Sequence, residues 1–388
     1  MATRRAFLRT LACAVPASLW PPGAPGEAIQ APRAKYWVSG ASAGPACRTC
    51  HPSAGALDRA HVHDPQGVLC QLCARNCAIK AGGSGRCGAR ANVNGELRSL
   101  VYGRPAAVHV DPIEKKPFYH FLPGRSAYSL GTVGCPLQCK FCQNWEISQA
   151  RPSDYGSAFT SAEDVVRSAE SRGAPVIAVT YNEPTVFAEY ALDIAEAARP
   201  RGLRLAMVSC GYMNERPLAD FCCAFDAIKI DLKGFSDAFY RAVSGAALAP
   251  VLRSIRQVRR SGRHLEIVNL VVPTLNDSDA SLRGLADWVM GELGPDVPVH
   301  FTRFFPNYQL RNLAPTPVAT LARARSLAMD RGIRYAYVGN VPGHPGNHTY
   351  CPTCGARVIA REDFFVLETK LLNGRCAACG SAVAGVWA

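Results

Sequence analysis

The stretch "GCPLQCKFCQNW" at residues 134–145 places Cys135, Cys139 and Cys142 on one short loop, and no fourth cysteine follows closely. Structural metal sites built from thiolates usually have four protein ligands. Three thiolates on one loop suit an iron–sulfur cubane, in which one iron stays open to a small chelating ligand. The alternative is a structural zinc site whose fourth ligand lies elsewhere in the chain.

The sequence around this loop alternates between short apolar segments and longer amphipathic ones. This alternation is typical of repeated βα units and a parallel sheet. Six or seven repeats over about 210 residues are too few for a complete eightfold barrel. We therefore predict an α/β fold, a partial (β/α)6-type TIM barrel or an open sheet, with helices that begin at Ser161 and span Thr185–Arg199. The predicted strands are "AYSLGTV", "VIAVTY", "LRLAMVSC", "FDAIKI", "HLEIVNLVV", "VHFTRFF" and "IRYAYVG".

Polar residues follow the predicted strands where each strand ends. Barrel folds carry their sites at the C-terminal strand ends, so these side chains are expected to surround the three cysteines. Each group also has a structural interpretation: a helix start, a satisfied ion pair, or a buried histidine without a catalytic role. The candidates are Asn182 and Glu183 after the second strand, Asp231 and Lys233 after the fourth, and His300 and Arg303 on the sixth.

Two further cysteine clusters flank the βα region. Each offers four thiolates, which leaves no open coordination position and predicts a structural or electron-transfer role. The first is predicted to hold zinc or an auxiliary cluster, and the second a zinc ion in a ribbon of two knuckles, with a rubredoxin-like iron as the alternative. The first set is Cys70, Cys73, Cys77 and Cys87, and the second is Cys351, Cys354, Cys376 and Cys379.

The N-terminal region carries two further motifs. Arg4-Arg5 followed by a modest apolar stretch predicts a twin-arginine export signal and spacer at 1–32, with a cytoplasmic protein as the alternative. Cys47-x2-Cys50-His51 spells a haem c attachment pattern, although chance or another metal site explains it as well. We interpret the remaining cysteines, Cys210, Cys222 and Cys223, as small core residues.

The composition excludes several classes of protein. The chain has 388 residues, 48% of them hydrophobic, 17 cysteines and a formal net charge of +13. Clustered cysteines in a chain with ample core do not fit a secreted disulfide framework. The basic residues form no run interleaved with aromatics, so no specific nucleic-acid site is predicted. No apolar segment is long enough to be a transmembrane span.

Several sequence blocks resemble one enzyme family. The chain is similar to the radical S-adenosylmethionine (SAM) enzymes, and within them to the radical SAM members of the AmmeMemoRadiSam system, relatives of pyruvate formate-lyase activating enzymes. Pro136 departs from the asparagine that this family usually carries after the first cluster cysteine. The matching blocks are "DPIEKKPFYHFLPG", "GCPLQCKFCQNWEISQ", "TYNEPTVFAEY", "DLKGF", "LVVPTLND", "YVGNVPG" and "CPTCG…CAACG".

The resemblance implies a set of cofactors and roles. The three loop cysteines would hold a [4Fe-4S] cluster, and Asn182 with Glu183 would hold the amino group of SAM. Asp231, Lys233 and His300 would serve catalysis. The enzyme would cleave SAM reductively and use the 5′-deoxyadenosyl radical to abstract hydrogen from an unidentified substrate.

The resemblance also implies partners and boundaries. An electron donor protein is expected, together with Memo-like and AMMECR-like proteins and a small-molecule or protein substrate. Two alternatives stay open: an activase that installs a glycyl radical on a partner protein, and a non-catalytic electron-transfer or metal-binding protein. The predicted domains are a cysteine-rich module at 33–120, a radical SAM core at 121–340 and a two-knuckle module at 341–388.

Overall fold

A computed structural model describes residues 31–40 and 65–388, so the predicted export signal and the Cys47-Cys50-His51 motif lie outside the described residues. The first described segment forms two small antiparallel sheets around the first cysteine set. One sheet has the order β1-β2-β3, and the other pairs β4 with β5. These strands are β1 (Trp37–Ser39), β2 (Val68–Cys70), β3 (Ala78–Ile79), β4 (Arg90–Val93) and β5 (Glu96–Ser99).

A sheet of eight strands forms the centre of the molecule. Its order, β13-β12-β11-β10-β9-β8-β7-β6, follows the chain, with β6 antiparallel to β7 and all other pairs parallel. The strands are β6 (Ala107–Pro112), β7 (Ser126–Gly131), β8 (Val176–Val179), β9 (Arg204–Ser209), β10 (Ala227–Asp231), β11 (His264–Val271), β12 (Val299–Arg303) and β13 (Ala336–Gly339).

The seven parallel strands confirm the predicted α/β fold. Each overlaps one of the seven predicted segments, and every residue of β8 is buried, as expected for a parallel sheet covered on both faces. The antiparallel strand β6 lies within the segment assigned to the N-terminal module but pairs with the central sheet. Curvature of the sheet into a partial barrel stays a prediction.

Six helices of ten or more residues connect the parallel strands. The helix predicted at Ser161 is confirmed: the Ser161 hydroxyl accepts from the Asp164 N–H, and the Asp164 carboxylate accepts from the Ser161 N–H. The predicted helix Thr185–Arg199 instead begins and ends in 3-10 turns, Pro184–Phe187 and Arg199–Arg201. The helices are α1 (Ala162–Ser171), α2 (Ala188–Ala198), α3 (Glu215–Ala224), α4 (Leu248–Arg260), α5 (Asp279–Leu293) and α6 (Val318–Asp330).

Shorter helical turns complete the connections. None of the described helices has both the length and the apolar character to cross a membrane. Cys222 on α3 is buried as expected, but the interpretation of Cys223 as a core residue is wrong, because it is exposed. The short turns are Ile113–Lys115, Trp145–Ser148, Pro152–Asp154, Asp237–Phe239, a π-helical turn Tyr240–Ser244, and Pro345–Asn347.

The last segment folds into two small antiparallel sheets that pack on the core. Arg361 from this segment is fully buried, and its Nη2 donates to the Tyr119 carbonyl at 2.8 Å. The chain then returns to the core, where the Leu122 N–H donates to the Val386 carbonyl at 2.7 Å. The strands are β14 (Thr349–Tyr350), β15 (Arg357–Glu362), β16 (Phe365–Thr369), β17 (Leu371–Leu372) and β18 (Arg375–Cys376).

Candidate active site

A cavity of about 300 Å³ opens at the C-terminal ends of the parallel strands. The three loop cysteines line it together with side chains from the ends of β8, β9, β10 and β12. The structure therefore brings the predicted site residues to one place, with the exception of Arg303, whose Nε donates to the Thr316 carbonyl outside the cavity. The predicted residues on the wall are Cys135, Cys139, Cys142, Asn182, Glu183, Asp231, Lys233 and His300.

The cysteine loop begins at a glycine with a left-handed backbone. Gly134 has φ +94°, and a Cβ added there would lie 2.4 Å from the Cys87 carbonyl oxygen. Burial raises the pKa of the Cys135 and Cys139 thiols, whereas the charge of Lys233 acts to lower the pKa of Cys139. Buried thiols beside a cation are suited to metal ligation, which requires thiolates.

Asn182 fixes the position of this loop. Its Oδ1 accepts from the Thr132 N–H at 3.1 Å, and its Nδ2 donates to the Gly134 carbonyl at 2.9 Å. Tyr181, which precedes it, adopts φ +71°, and its carbonyl accepts from Asn144 on the far side of the loop at 2.8 Å. The predicted cofactor residue Asn182 therefore has a visible role in positioning the cysteines.

The Glu183 carboxylate lies beside the cavity and already has four donors. Its Oε1 accepts from the Ser209 hydroxyl at 2.7 Å and from the hydroxyl and N–H of Thr185, and its Oε2 accepts from the Cys210 N–H at 2.7 Å. The bond from the Thr185 N–H caps the 3-10 turn Pro184–Phe187, the helix-start role anticipated from the sequence. Cys210 lines the cavity, which the sequence interpretation missed.

Asp231 is held between two lysines. Its Oδ1 accepts from Lys229, and its Oδ2 accepts from Lys233 at 3.1 Å. Burial acts to raise the pKa of Asp231, but the two ammonium groups outweigh burial and lower it to about 2. Asp231 and Lys233 therefore agree with both interpretations made from the sequence. They form an ion pair, and both residues line the cavity.

A second lysine–aspartate cluster lies across the cavity. The Asp111 carboxylate accepts from Lys115 and Lys116, each at 2.6 Å, and from the Tyr181 hydroxyl at 3.0 Å. Burial lowers the pKa of Lys116 to about 8, and Asp111 offsets this only in part. Lys116 lies in the "EKKP" block, but no role was predicted for it; two adjacent lysines before a proline were the available signal.

His300 lies against a buried carboxylate. Its Nε2 donates to Glu266 at 2.6 Å, and Glu266 also accepts from His264 and from the N–H groups of Tyr119 and His120. Burial acts to raise the pKa of Glu266, but these hydrogen bonds keep it well below its usual range. Burial lowers the pKa of His300, and the hydrogen bond to Glu266 opposes this effect.

The two outer cysteine sets differ in geometry. The four C-terminal sulfur atoms all lie within 4.8 Å of one another, with Cys351–Cys379 at 3.6 Å and Cys354–Cys376 at 3.8 Å. Among the described residues, this is the only set of three or more possible metal ligands that is so compact. The N-terminal four are more widely spaced, and two of them, Cys70 and Cys87, lie near the buried Arg90.

Comparison with known proteins identifies the family. The sequence profile of the Radical SAM superfamily matches residues 129–286, from β7 into α5. An uncharacterized protein of Methanocaldococcus jannaschii is 41% identical over 325 residues, which cover 82% of this chain and 96% of that protein. The chain belongs to the radical SAM superfamily. Its activity is the reductive cleavage of SAM to generate a radical, so the prediction of an enzyme is confirmed.

More distant radical SAM relatives match part of the chain. The pyruvate formate-lyase-activating enzyme of Clostridium pasteurianum is 23% identical over 163 residues, which cover 40% of this chain and 65% of that enzyme. A radical SAM methyltransferase from Sphaerobacter thermophilus aligns with a TM-score of 0.44 at 18% identity, over 56% of this chain and 67% of that one.

The residues present fit the cofactors of a radical SAM enzyme. Three cysteines on one loop, Cys139 buried and Cys135 and Cys142 partly buried, would supply the thiolates for a [4Fe-4S] cluster, and the adjoining cavity offers both carboxylate and ammonium groups. Polar and charged walls of this kind suit a cofactor with an amine, a carboxylate and a sulfonium.

Proposed function

We propose that the cavity binds the cluster and SAM side by side and that a substrate enters from the side of Lys116. The observation that carries this proposal is the shared wall: Cys135, Cys139 and Cys142 line the same cavity as Glu183 and Asp231. When bound, the cluster and SAM supply a 5′-deoxyadenosyl radical, which abstracts a hydrogen atom from the substrate.

The chain's own residues would bind and orient the reacting groups. Glu183 would attract the amine of SAM, since a carboxylate beside a cationic amine gives a charge-assisted hydrogen bond. Asp231 and Lys233 would fix polar groups of the cofactor or the substrate. His300, held by Glu266, would offer its second ring nitrogen as a hydrogen-bonding group.

The experiment that tests this proposal is an anaerobic assay of reconstituted full-length protein with dithionite and SAM. We expect release of 5′-deoxyadenosine by the wild type and its loss in Cys139→Ala. Cys223→Ala is the matched control, because Cys223 is exposed and outside every cysteine set. Equal product from Cys139→Ala and the control would overturn the site assignment.

A second candidate is an activase that acts on a partner protein. The partial similarity to the pyruvate formate-lyase-activating enzyme of Clostridium pasteurianum supports this candidate. An activase would leave a protein-borne radical on its partner, detected by electron paramagnetic resonance. A small-molecule enzyme would instead give product without a persistent radical on any protein.

We also propose membership of the AmmeMemoRadiSam system, with Memo-like and AMMECR-like proteins as partners besides an electron donor. The resemblance of the "EKKP" block to that family supports this proposal. Its four residues, Glu114, Lys115, Lys116 and Pro117, all line the cavity. Purified Memo-like and AMMECR-like proteins are expected to form a complex with the wild-type chain in size-exclusion chromatography. Separate elution at micromolar concentration would contradict the partnership.

We propose zinc for the C-terminal set. Four ligands at about 2.3 Å in a tetrahedron place their sulfur atoms about 3.8 Å apart, close to the 3.6 and 3.8 Å observed. Metal analysis of a Cys376→Ser variant should show the loss of one zinc per chain. Loss of iron without loss of zinc would instead indicate the rubredoxin-like alternative.

Export through the twin-arginine route is proposed from Arg4-Arg5 alone. Cell fractionation of Arg4→Lys/Arg5→Lys tests it: the variant should stay inside cells that export the wild type. The same distribution for both proteins would contradict export. The predicted domain boundaries at residues 32, 120 and 340 stay predictions.

A further inference from the structure

Two cysteines of the N-terminal set lie near a buried cation. Cys70 ends β2, Cys73 and Cys77 follow within the next turns, and Cys87 lies just before β4. Arg90, the first residue of β4, is fully buried, and its charge acts on Cys70 and Cys87. Such a site is built around negative charge, because a buried guanidinium is costly unless it is compensated.

The Glu189 carboxylate pairs with the charge of Arg90, but one hydrogen-bond donor of Arg90 stays without a partner. The two Nη atoms of Arg90 bind the Glu189 carboxylate, with Nη1 and Oε1 at 3.0 Å. The Nε of Arg90 is buried and has no hydrogen-bond partner among the described residues. An unpartnered buried donor near Cys70 and Cys87 is consistent with an anionic group bound by this cysteine set.

The spacing of the sulfur atoms decides between a single ion and a larger group. Two ligands at 2.3 Å from one zinc cannot lie farther apart than about 4.6 Å. The C-terminal sulfurs all lie within 4.8 Å of one another, close to this limit, whereas no three N-terminal sulfurs of the described chain approach one another so closely. In a cubane each thiolate binds a different iron, so wider spacing is required.

The N-terminal set also lies directly against the central cysteine loop. The Cys87 carbonyl oxygen occupies the space that a Cβ of Gly134 would need. Arg75, two residues after Cys73, donates from Nε to the Pro136 carbonyl at 2.8 Å. Arg86, adjacent to Cys87, donates to the Gln138 side chain. Residues near two of the N-terminal cysteines are thus hydrogen-bonded to the segment of the loop between Cys135 and Cys139.

We infer that Cys70, Cys73, Cys77 and Cys87 bind a second [4Fe-4S] cluster, which relays electrons to the cluster on the central loop. One electron enters from a reduced ferredoxin- or flavodoxin-type protein, reduces the N-terminal cluster, and passes on to the central cluster. The donor protein leaves oxidised, and the N-terminal cluster returns to its resting state. The relay rests on the proposed function, but binding of the cluster does not.

A variant without the central cysteines tests the second cluster directly. Full-length protein with Cys135→Ala, Cys139→Ala and Cys142→Ala is reconstituted anaerobically, and its iron, sulfide and zinc are measured. We expect about four irons per chain, against about eight in the wild type. Two zinc ions and no iron in this variant would overturn the inference, whatever the fate of the proposed function.

A complementary variant addresses the relay. Cys77→Ser is expected to lose the second cluster's electron paramagnetic resonance signal, and Cys223→Ser, at an exposed cysteine outside every set, is the matched control. With reduced flavodoxin as donor, reduction of the central cluster should slow at least tenfold in Cys77→Ser and stay unchanged in Cys223→Ser. Equal rates of reduction in both variants would overturn the relay.

Discussion

The side chain of Asn182 is bonded to the backbone of Gly134, with 2.9 Å between the Asn182 Nδ2 and the Gly134 carbonyl oxygen. This bond ties the end of β8 to the residue that precedes the first cluster cysteine. The position of the loop therefore depends on a residue 48 positions later in the chain.

Replacement of Asn182 by Ala should loosen the loop. The change leaves the buried Thr132 N–H and the Gly134 carbonyl without partners, which costs about 1–3 kcal/mol each. We expect a lower free energy of unfolding in urea and a lower iron content after desalting. Gln143→Ala, at an exposed position on the same loop, is the control. Full iron retention by Asn182→Ala would contradict this role.

Two glycines with left-handed backbones allow the cost of backbone strain to be measured separately from the cost of a steric clash. Gly134 and Gly82 have φ +94° and +71°, but only at Gly134 would a Cβ meet another atom, the Cys87 carbonyl oxygen. Strain alone costs about 1–3 kcal/mol. Gly82→Ala should show this loss in chemical unfolding, and Gly134→Ala a larger one with loss of iron. Equal losses would show that the contact with Cys87 is unimportant.

Lys116 should make stability depend on pH in a defined window. Its pKa is about 8 in the folded chain, against an ordinary value of 10.5. Between these values the unfolded chain binds the additional proton, so the free energy of unfolding rises with pH by about 1.4 kcal/mol per unit.

The rise is measured as the difference between wild type and Lys116→Met in urea unfolding at pH 7.5, 8.5 and 9.5. Lys115→Met controls for loss of an ion pair to Asp111. A constant difference between wild type and Lys116→Met across the three pH values would refute the shifted pKa.

Asp231→Asn should be strongly destabilising. The change leaves Lys229 and Lys233 as like charges in a buried site, and removal of one partner of a buried pair costs roughly 3–5 kcal/mol. Asp296→Asn, which breaks an exposed pair with Arg334, is the control, with an expected loss of about 1 kcal/mol or less. Thermal unfolding of the two variants distinguishes the cases, and similar midpoints would contradict the burial argument.

The apolar pattern was sufficient to predict the parallel strands. The parallel strands are mostly buried on both faces, so short and largely apolar segments mark them directly. The cysteine spacing and the polar residues at the strand ends were sufficient to predict the cavity, because each of these patterns lies within a few consecutive residues. The pairing of β6 was missed because an antiparallel edge strand with exposed His109 and Val110 carries no continuous apolar run.

The contributions of remote segments were not predictable from local patterns. Lys116 reaches the cavity from a turn after β6, and its low pKa depends on the packing around it. Glu266 was overlooked because an acidic residue within a strand resembles a surface position. Only the fold reveals that its partners are His264, His300 and two backbone N–H groups.

The backbone bond between Leu122 and Val386 has a consequence for biosynthesis. Phe121, at the inner end of the sheet, forms a bridge with Val386 and is fully buried. During synthesis, the central cysteine loop therefore leaves the ribosome long before Val386, which packs on Phe121 in the core. Iron is then inserted either after these later residues have folded onto the core or into a nascent chain in which Phe121 is not yet covered.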